Sequence, residues 1–416
     1  MKYSQVVMSQ SPLTVDLDVA VIGGGVAGLW LLNRLLAAGY EAALFESHAL
    51  GGEQTLASQG MIHGGIKYTL AGSLTGASEQ LADMPRYWRA CLAGEGSVDL
   101  SHTRILSKHF YLFSSGGMTD GISTFLASRL AHGRSQPVKA GRRPAPLDHP
   151  DFQGRVYQLQ DLVLDVPSLV EDLAAQARGR LFKTDPARDQ WQTDEKGAAT
   201  LTTAAGARVR ARQTILAAGR GNAALLEQLG HRQPAMQTRP LQQVLVRHPS
   251  LPWFYGHCLG AGSQPRLTIS THNSADGTPI WYLGGALAED GANMSEAALM
   301  ARAKNELASL FPQLALADAE WTTLWAERAE PVQAGGRRPD GAYLALVPGS
   351  DSVRVAWPTK LTLAPQLAEE AVSALQQAGL QAHRSSNLEA LSQYLSIPAL
   401  APSPWDRLFA LEHASC

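Results

Sequence analysis

The sequence predicts an α/β fold (α+β overall). A parallel, doubly wound nucleotide-binding domain carries an inserted, mostly antiparallel β-sheet domain. Three observations predict it. Residues 18–46, DVAVIGGGVAGLWLLNRLLAAGYEAALFE, read as strand, glycine turn, helix and second strand. Residues 214–219, TILAAG, read as a buried strand running into a glycine. Outside these and a third α/β segment at 337–379 lie stretches of strand-like alternation, LQQVLVRH, RLTISTH and PIWYLGG, a pattern typical of antiparallel sheets.

Each part of the first segment has a physical task. Residues 18–22 form a short apolar run suited to a buried parallel strand. Gly23, Gly25 and Gly28 follow in the spacing G-x-G-x-x-G. Gly23 permits the tight turn, Gly25 lets a pyrophosphate approach the backbone, and Gly28 lets helix and strand pack closely. Val26 and Ala27 open an apolar helix that runs to about residue 38 and stops at Gly39. Its free N–H groups and dipole favour phosphate at the N-terminus. A second strand, 42–45, ends on Glu46, where an acid accepts ribose hydroxyls. Together these features predict a bound dinucleotide.

The later elements extend the same domain. Residues 166–178 read as a helix started at Pro167. Residues 200–204 and 207–211 alternate like a hairpin across Ala205-Gly206. The strand at 214–217 leads into Ala218 and Gly219 and returns the chain to the first glycine loop. Residues 337–379 give strand, turn (Pro348-Gly349-Ser350), strand, loop, and a helix begun near Pro365. That helix aims its N-terminus at whatever the loop 358–363 touches. The expected division is 15–85, 156–235 and 335–385 for the discontinuous nucleotide domain, with 86–155 and 236–334 as the inserted domain. Residues 386–416 form a helical tail, with one helix at 388–395 and a proline-rich end. Residues 133–150, basic and proline-rich, are expected to be a surface loop.

Composition narrows the function. The chain has 416 residues, 45% hydrophobic and 17% charged, enough for two substantial cores. A formal net charge of −2 gives no electrostatic case for nucleic acid. Cys91, Cys258 and Cys416 are far apart and odd in number, which is neither a disulfide framework nor a zinc spacing. No metal is expected. The first residues, MKYSQVVMSQSPLTVDLD, lack the apolar region of a secretory signal. The longest uncharged apolar run, 19–33, is too short and glycine-rich to span a bilayer. A cytoplasmic protein is expected, with peripheral contact at the inner face of a membrane as the alternative.

At residues 58–68, SQGMIHGGIKY, the chain resembles a known family. The G-x-I-H-G-G-I-x-Y pattern after a glycine loop is similar to that of flavin-dependent glycerol-3-phosphate dehydrogenases and L-2-hydroxyglutarate dehydrogenases. Both belong to the D-amino acid oxidase (DAO) superfamily of FAD-dependent oxidoreductases. The A-A-G strand, the R-P-D segment at Arg338, Pro339 and Asp340, and the final strand–loop–helix occur in that family's order. The resemblance spans most of the chain in architecture, is specific at 18–68 and 214–219, and is weak in the inserted domain. It implies a Rossmann-like FAD-binding domain holding FAD extended, the ADP half on Gly23, Gly25, Val26, Ala27, Gly28 and Glu46. Ala218 and Gly219 lie beside it. Ser58, Gly60 and their neighbours to Gly65 line the flavin ring. The family's G-H-x-G-type loop against the pyrimidine edge is replaced here by Pro358-Thr359-Lys360-Leu361-Thr362. Its backbone N–H groups suit the flavin O2. Lys360 adds a cation that can stabilise negative charge on reduced flavin or snorkel to solvent.

The resemblance implies oxidation of a small amine, amino acid, 2-hydroxy acid or polyol phosphate by hydride transfer to flavin N5. Such a substrate also loses a proton, and histidine suits that task near neutral pH. His63, within the flavin-lining segment, is the first candidate; contact with the cofactor is its alternative role. An acidic substrate needs a fixed cation, for which arginine is the usual choice. Arg247, Arg266 and Arg328 are candidates, Arg328 first, because TLWAERAEP reads as a strand approaching the nucleotide domain. Lys67, Tyr68, His257, His272 and Tyr282 are further substrate candidates, while Trp253, Trp281 and Trp325 are expected in the core. The expected partners are a small-molecule substrate and an electron acceptor: oxygen, a quinone or a carrier protein. Alternatives are an NAD(P)H-reduced flavoprotein monooxygenase or reductase, an RNA-modifying flavoprotein, and a non-catalytic FAD-bound scaffold. A reductase would usually show a second G-x-G-x-x-G or a C-x-x-C, and neither occurs.

Overall fold

A computed structural model describes residues 13–64, 76–114, 135–194, 197–260, 264–333, 335, 339, 341–383 and 387–414. Gly65, Lys67, Tyr68, Arg338, Asp340 and Cys416 lie outside the described residues. The first sheet is built on Thr14–Ile22, paired in parallel with Ala42–Glu46 on one side and Arg208–Leu216 on the other. Leu181–Lys183 extends it beyond Ala42–Glu46, and Val353–Trp357 joins the far end of Arg208–Leu216, again in parallel. Antiparallel strands Ala199–Thr202, Gln190–Thr193 and Tyr343–Leu346 finish its edges. Helices Val26–Ala37, Val166–Gln176 and Ala364–Gln377 cover one face. Leu388, Leu391 and Leu395 help fill the other. With both faces covered, the second half of the central strand, Val19 to Ile22, is an unbroken apolar run and wholly buried.

The second sheet runs Glu320–Pro331, Met236–Arg247, Pro279–Gly284, Pro265–Asn273, Gly256–Leu259, Phe110–Ser114, Val156–Leu159, Ser135–Pro137. Its pairings are antiparallel except that of Gly256–Leu259 with Phe110–Ser114. Strand alternation now matters. Val244 and Val246 enter a core capped by helix Glu296–Leu310, while Leu245 points to the opposite face. A small third sheet pairs Leu162–Leu164 with Met61–Ile62 and Ile105–Ser107.

The sheets divide the chain differently from the expectation in several places. Trp88, Cys91, Val98 and Leu100 join the core of the first sheet, although 86–155 was assigned to the inserted domain. Val156–Leu159 belongs to the second sheet, although 156–235 was assigned to the first. Ser135–Pro137, inside the expected basic loop, is an edge strand. The tail differs too. Leu388–Gln393 is a 3₁₀ helix, and the proline-rich end starts an α-helix at Pro404–Ala414. Pro404 opens that helix, where its fixed φ and missing N–H cost nothing. Trp405 and Phe409, one turn apart, give it a face to bury.

Candidate functional site

Ile22 lies level with Phe45 and Leu216, and Leu216 with Val355. The loops 23–25, 47–60, 217–221 and 358–363 therefore emerge at one edge of the sheet. This is the carboxyl-end crevice where doubly wound sheets bind ligands.

The glycine loop is closed from both sides by backbone. Gly23 has φ +115°, and a Cβ there would lie 2.6 Å from Ala218 Cα. A Cβ on Gly28 would lie 1.9 Å from the Gly23 carbonyl oxygen. The Val26 N–H at the helix start donates to Thr55 Oγ1 at 3.0 Å. Glu46 sits at the rim, its carboxylate accepting from Gly24 N–H at 2.5 Å and His48 N–H at 2.7 Å. Asn222, fully buried, locks the returning A-A-G strand. Its Oδ1 accepts from Ala218 N–H at 2.8 Å and its Nδ2 donates to Ala356 O at 3.2 Å. Trp357 Nε1 donates to Gly219 O at 3.0 Å. Gly219 itself turns through φ +57°, with open space where a side chain would begin. Sequence reasoning missed Thr55 and Asn222. Asn222 had one signal, a polar residue directly after A-A-G-R-G; Thr55 had none beyond the nearby Gly51-Gly52 turn.

A second cluster lies beside Met61–Ile62. Gly60, at φ +70°, passes so close to Leu164 that a Cβ would fall 2.1 Å from its carbonyl oxygen. Ser58 Oγ is buried and has no partner among the described residues. The turn Leu361–Leu363 packs against this strand. Just before it, Thr359 adopts φ +59°, the one non-glycine positive φ among the described residues. A left-handed threonine costs roughly 1–2 kcal/mol, and such strain concentrates at functional sites. Thr359 Oγ1 donates to Gly341 O at 2.9 Å, Lys360 N–H to Pro358 O at 2.6 Å, and Trp88 Nε1 to Thr362 O at 3.0 Å. The loop Pro358 to Thr362, with Leu361 half-buried, is thus held from outside by Gly341 and Trp88 and braced within by its own backbone.

His63 follows this strand. Its ring lies 6.1 Å from that of His257 and 6.3 Å from that of Phe110, and His257 meets Phe110 edge-on at 4.8 Å. The two imidazoles come from different sheets, and their meeting is the clearest convergence among the sequence candidates. Tyr282 has a different role. It is fully buried, and its hydroxyl lies 2.7 Å from Ala57 O and 2.8 Å from Gln243 Oε1. Burial pushes its phenol well above the ordinary range. Together with Gln59, which donates to Tyr282 O at 2.7 Å and accepts from Thr268 Oγ1 at 2.6 Å, it ties the second sheet to the 57–59 turn.

The arginines are engaged. Arg266 binds Glu306, Arg247 binds Glu320 at 2.8 Å and also Asp276, and Arg328 faces Glu289 at 3.4 Å. An anionic substrate would have to exchange with one of these carboxylates. The Glu320–Pro331 strand does reach the first domain. Ala329 N–H donates to Gln54 Oε1 at 3.1 Å, and Arg220 bridges Glu53 at 3.2 Å and Glu327 at 3.8 Å. His272 stands apart, stacked on Trp405, and burial pushes its imidazole down to about 4. Trp281 is fully buried as expected, but Trp253 and Trp325 are each 50% exposed. Among the described residues no group of three or more His, Cys, Asp or Glu could hold a metal, and no helix is long and apolar enough to cross a membrane.

The crevice fits a dinucleotide on its own chemistry. It has a glycine turn that admits no side chain at Gly23 or Gly28, a helix N-terminus facing it, a rim carboxylate and an orphaned buried hydroxyl at Ser58. Comparison with known proteins agrees. Residues 18–359 match the DAO family, described as FAD-dependent oxidoreductases. A probable FAD-dependent oxidoreductase of Pseudomonas aeruginosa is 44% identical over 400 residues, covering 96% of this chain and 100% of that protein. Its crystal structure matches with a TM-score of 0.82 at 40% identity, covering 97% of this chain and 100% of that one. Iminodiacetate oxidase from Chelativorans matches at 0.63 and 19% identity, covering 92% and 99%. Glycine oxidase from Geobacillus kaustophilus matches at 0.62 and 17%, covering 89% and 100%. The last two show a shared fold.

Proposed function

The chain belongs to the DAO family of FAD-dependent oxidoreductases, and from that membership we propose that it oxidises a small amine, amino acid, 2-hydroxy acid or polyol phosphate. Oxygen, a quinone or a carrier protein then takes the electrons. FAD, when bound, supplies the hydride acceptor.

The residues to hold it are Gly23, Gly25, Val26, Ala27, Gly28 and Thr55 around the pyrophosphate, Glu46 at the ribose, and Ala218 and Gly219 alongside. Ser58, Gly60 and the loop Thr359, Lys360, Leu361 and Thr362 serve the ring end. The observation that carries the catalytic reading is the meeting of His63 and His257 beside the Met61–Ile62 strand. His63 takes the proton from the substrate's O–H or N–H. His257, from the second sheet, holds the substrate's polar group against it. Phe110 meets His257 edge-on and belongs to a buried apolar cluster with Met61, Tyr255 and Leu259, which gives this corner a low-polarity wall. Lys360 offers positive charge, and Arg328 can receive a substrate carboxylate if Glu289 yields it. Two proteins of the same fold are named for oxidising iminodiacetate and glycine, which supports a small amino acid or amine as the class to test first.

The test is an anaerobic visible spectrum of the purified protein, titrated with glycerol 3-phosphate, 2-hydroxyglutarate, lactate, D- and L-amino acids and N-methylated amines. Bleaching of the flavin band near ~450 nm by one donor supports the proposal and selects the substrate class. Reduction by NADPH and by none of the donors refutes it in favour of a monooxygenase or reductase.

A further inference from the structure

The cofactor loop and the tail of the chain meet at one residue. Leu50 forms a parallel bridge with Leu400. Its N–H donates to Ala399 O at 2.8 Å, and its carbonyl accepts from Ala401 N–H at 3.0 Å. The next residue, Gly51, donates its N–H to Gly24 O at 2.9 Å. The Leu50 side chain fills the space above Gly24, where a Cβ would lie 2.6 Å from Leu50 Cδ2. Two successive residues thus connect the tail on one side to the glycine loop on the other.

Both flanks of the bridging segment are anchored. Before it, Leu388, Leu391 and Leu395 sit in the core of the first sheet, and Ser396 O accepts from Lys183 N–H at 2.7 Å. After it, the helix Pro404–Ala414 lies on the second sheet. Trp405 stacks on His272 with ring centroids 4.7 Å apart and donates Nε1–H to Asn273 O at 3.1 Å. The Asp406 carboxylate accepts from Ala275 N–H at 2.8 Å. Trp405 and Phe409 share a buried cluster with Leu245, Ile280, Tyr282 and Leu324, and Ala57 packs against it. Pro398, Pro402 and Pro404 stiffen the connection. The tail residues that make these contacts, 388–409, lie beyond the matched residues 18–359.

We propose that residues 396–409 form a clasp that holds the 50–57 turn onto the glycine loop, so that the tail sets how firmly FAD is retained. Ala401 and Trp405 are its positioning residues. The turn matters because it carries Thr55, whose hydroxyl holds the Val26 N–H at the helix start. When the turn lifts, the Gly51–Gly24 and Thr55–Val26 bonds loosen together, and the pyrophosphate cradle loses its shape. The proposal rests on the FAD reading above.

Two variants test it. Ala401→Pro deletes one N–H and keeps an extended backbone; Trp405→Ala removes the stack on His272. The measurements are FAD affinity and release rate by flavin fluorescence, amide hydrogen exchange over residues 24–57 in flavin-stripped protein, and the urea midpoint as a control. Ala401→Pro is expected to speed exchange at Gly51 and Val26 and to weaken FAD binding about fivefold, the worth of one ordinary hydrogen bond. Trp405→Ala is expected to exceed that. A lower urea midpoint with unchanged FAD affinity would reduce the tail to a structural brace and overturn the proposal, as would unchanged exchange at 50–57. If Trp405→Ala does not fold, Ala401→Pro decides. Wild-type protein that never takes up FAD refutes the functional reading instead, and the exchange data then judge the clasp alone.

Discussion

Replacing Gly28 with alanine adds one methyl group and aims it at backbone. The new Cβ would stand 1.9 Å from the Gly23 carbonyl oxygen, where ordinary contact begins at 3.4 Å. That oxygen has little room to retreat, because the Gly23 N–H is bonded to Phe45 O at 2.8 Å. Relief requires the Val26–Ala37 helix to back away from the central strand, taking the buried Leu29 and Leu32 with it. Overpacking of this kind costs about 1–3 kcal/mol, occasionally more. Alanine's better helix propensity returns about 1 kcal/mol. A contact this close puts the cost at the upper end of that range, so a net loss of about 2 kcal/mol is expected in flavin-stripped protein, read from urea unfolding, with FAD affinity falling as well. Gly25→Ala is the contrasting case. Its Cβ would meet only Thr55 Oγ1, at 3.2 Å, a side-chain atom that can turn. Stability without flavin should shift by less than about 0.5 kcal/mol, while FAD affinity falls about tenfold or more as the methyl blocks the pyrophosphate. Wild-type unfolding in Gly28→Ala, or full FAD affinity in Gly25→Ala, would refute this assignment of the two glycines.

Three further outcomes are expected. His63→Gln keeps its yellow colour but slows reduction by the true donor roughly 10²-fold or more; a normal rate strikes His63 from the role of base. Asn222→Leu strands the Ala218 N–H and the Ala356 carbonyl, costing about 2 kcal/mol in urea unfolding; a neutral result would mean that the A-A-G strand is held by other contacts. His272 is neutral and buried, pushed down to about 4 from 6.5. Below 6.5 the unfolded chain binds a proton that the folded chain refuses, so stability is complete above that pH and falls as pH drops towards 4. The loss amounts to about 3 kcal/mol. His272→Leu should flatten the slope of stability against pH in that window by one proton, and an unchanged slope contradicts the burial argument.

The legible features were those whose cause is local. Gly23, Gly28 and Glu46 announce a cradle because the steric and polar requirements act within a span of about 25 residues, and the strands and helices around them formed as expected. The illegible features depend on partners distant in sequence. Nothing in the pattern around Arg266 reveals Glu306, nor does anything near Arg328 reveal Glu289, so both looked available for substrate. Asn222 gains its role only when Val353–Trp357 arrives beside the A-A-G strand. Trp405 looked like part of a proline-rich end because the surface that welcomes it belongs to another sheet. The opposite error befell Trp325. An aromatic residue in a strand suggests burial, but Trp325 lies on the edge strand Glu320–Pro331 and is 50% exposed although Thr323 and Ala329 on the same side are buried.

The order of strands in the first sheet also has a consequence in time. Asp16 and Arg210, which pair across neighbouring strands, are 194 residues apart in sequence. The Val353–Trp357 strand that completes the crevice comes later still. During synthesis the central strand and the Val26–Ala37 helix leave the ribosome with Ala42–Glu46 as their near neighbour, while the other sheet is interleaved before their remaining partners, Arg208–Leu216 and Val353–Trp357. Such long-range pairing makes folding slow and leaves sticky surface waiting. The cradle for FAD is therefore among the last parts of the molecule to exist, and the cofactor is set to act as a latecomer that seals a nearly finished fold, not as a nucleus around which it forms.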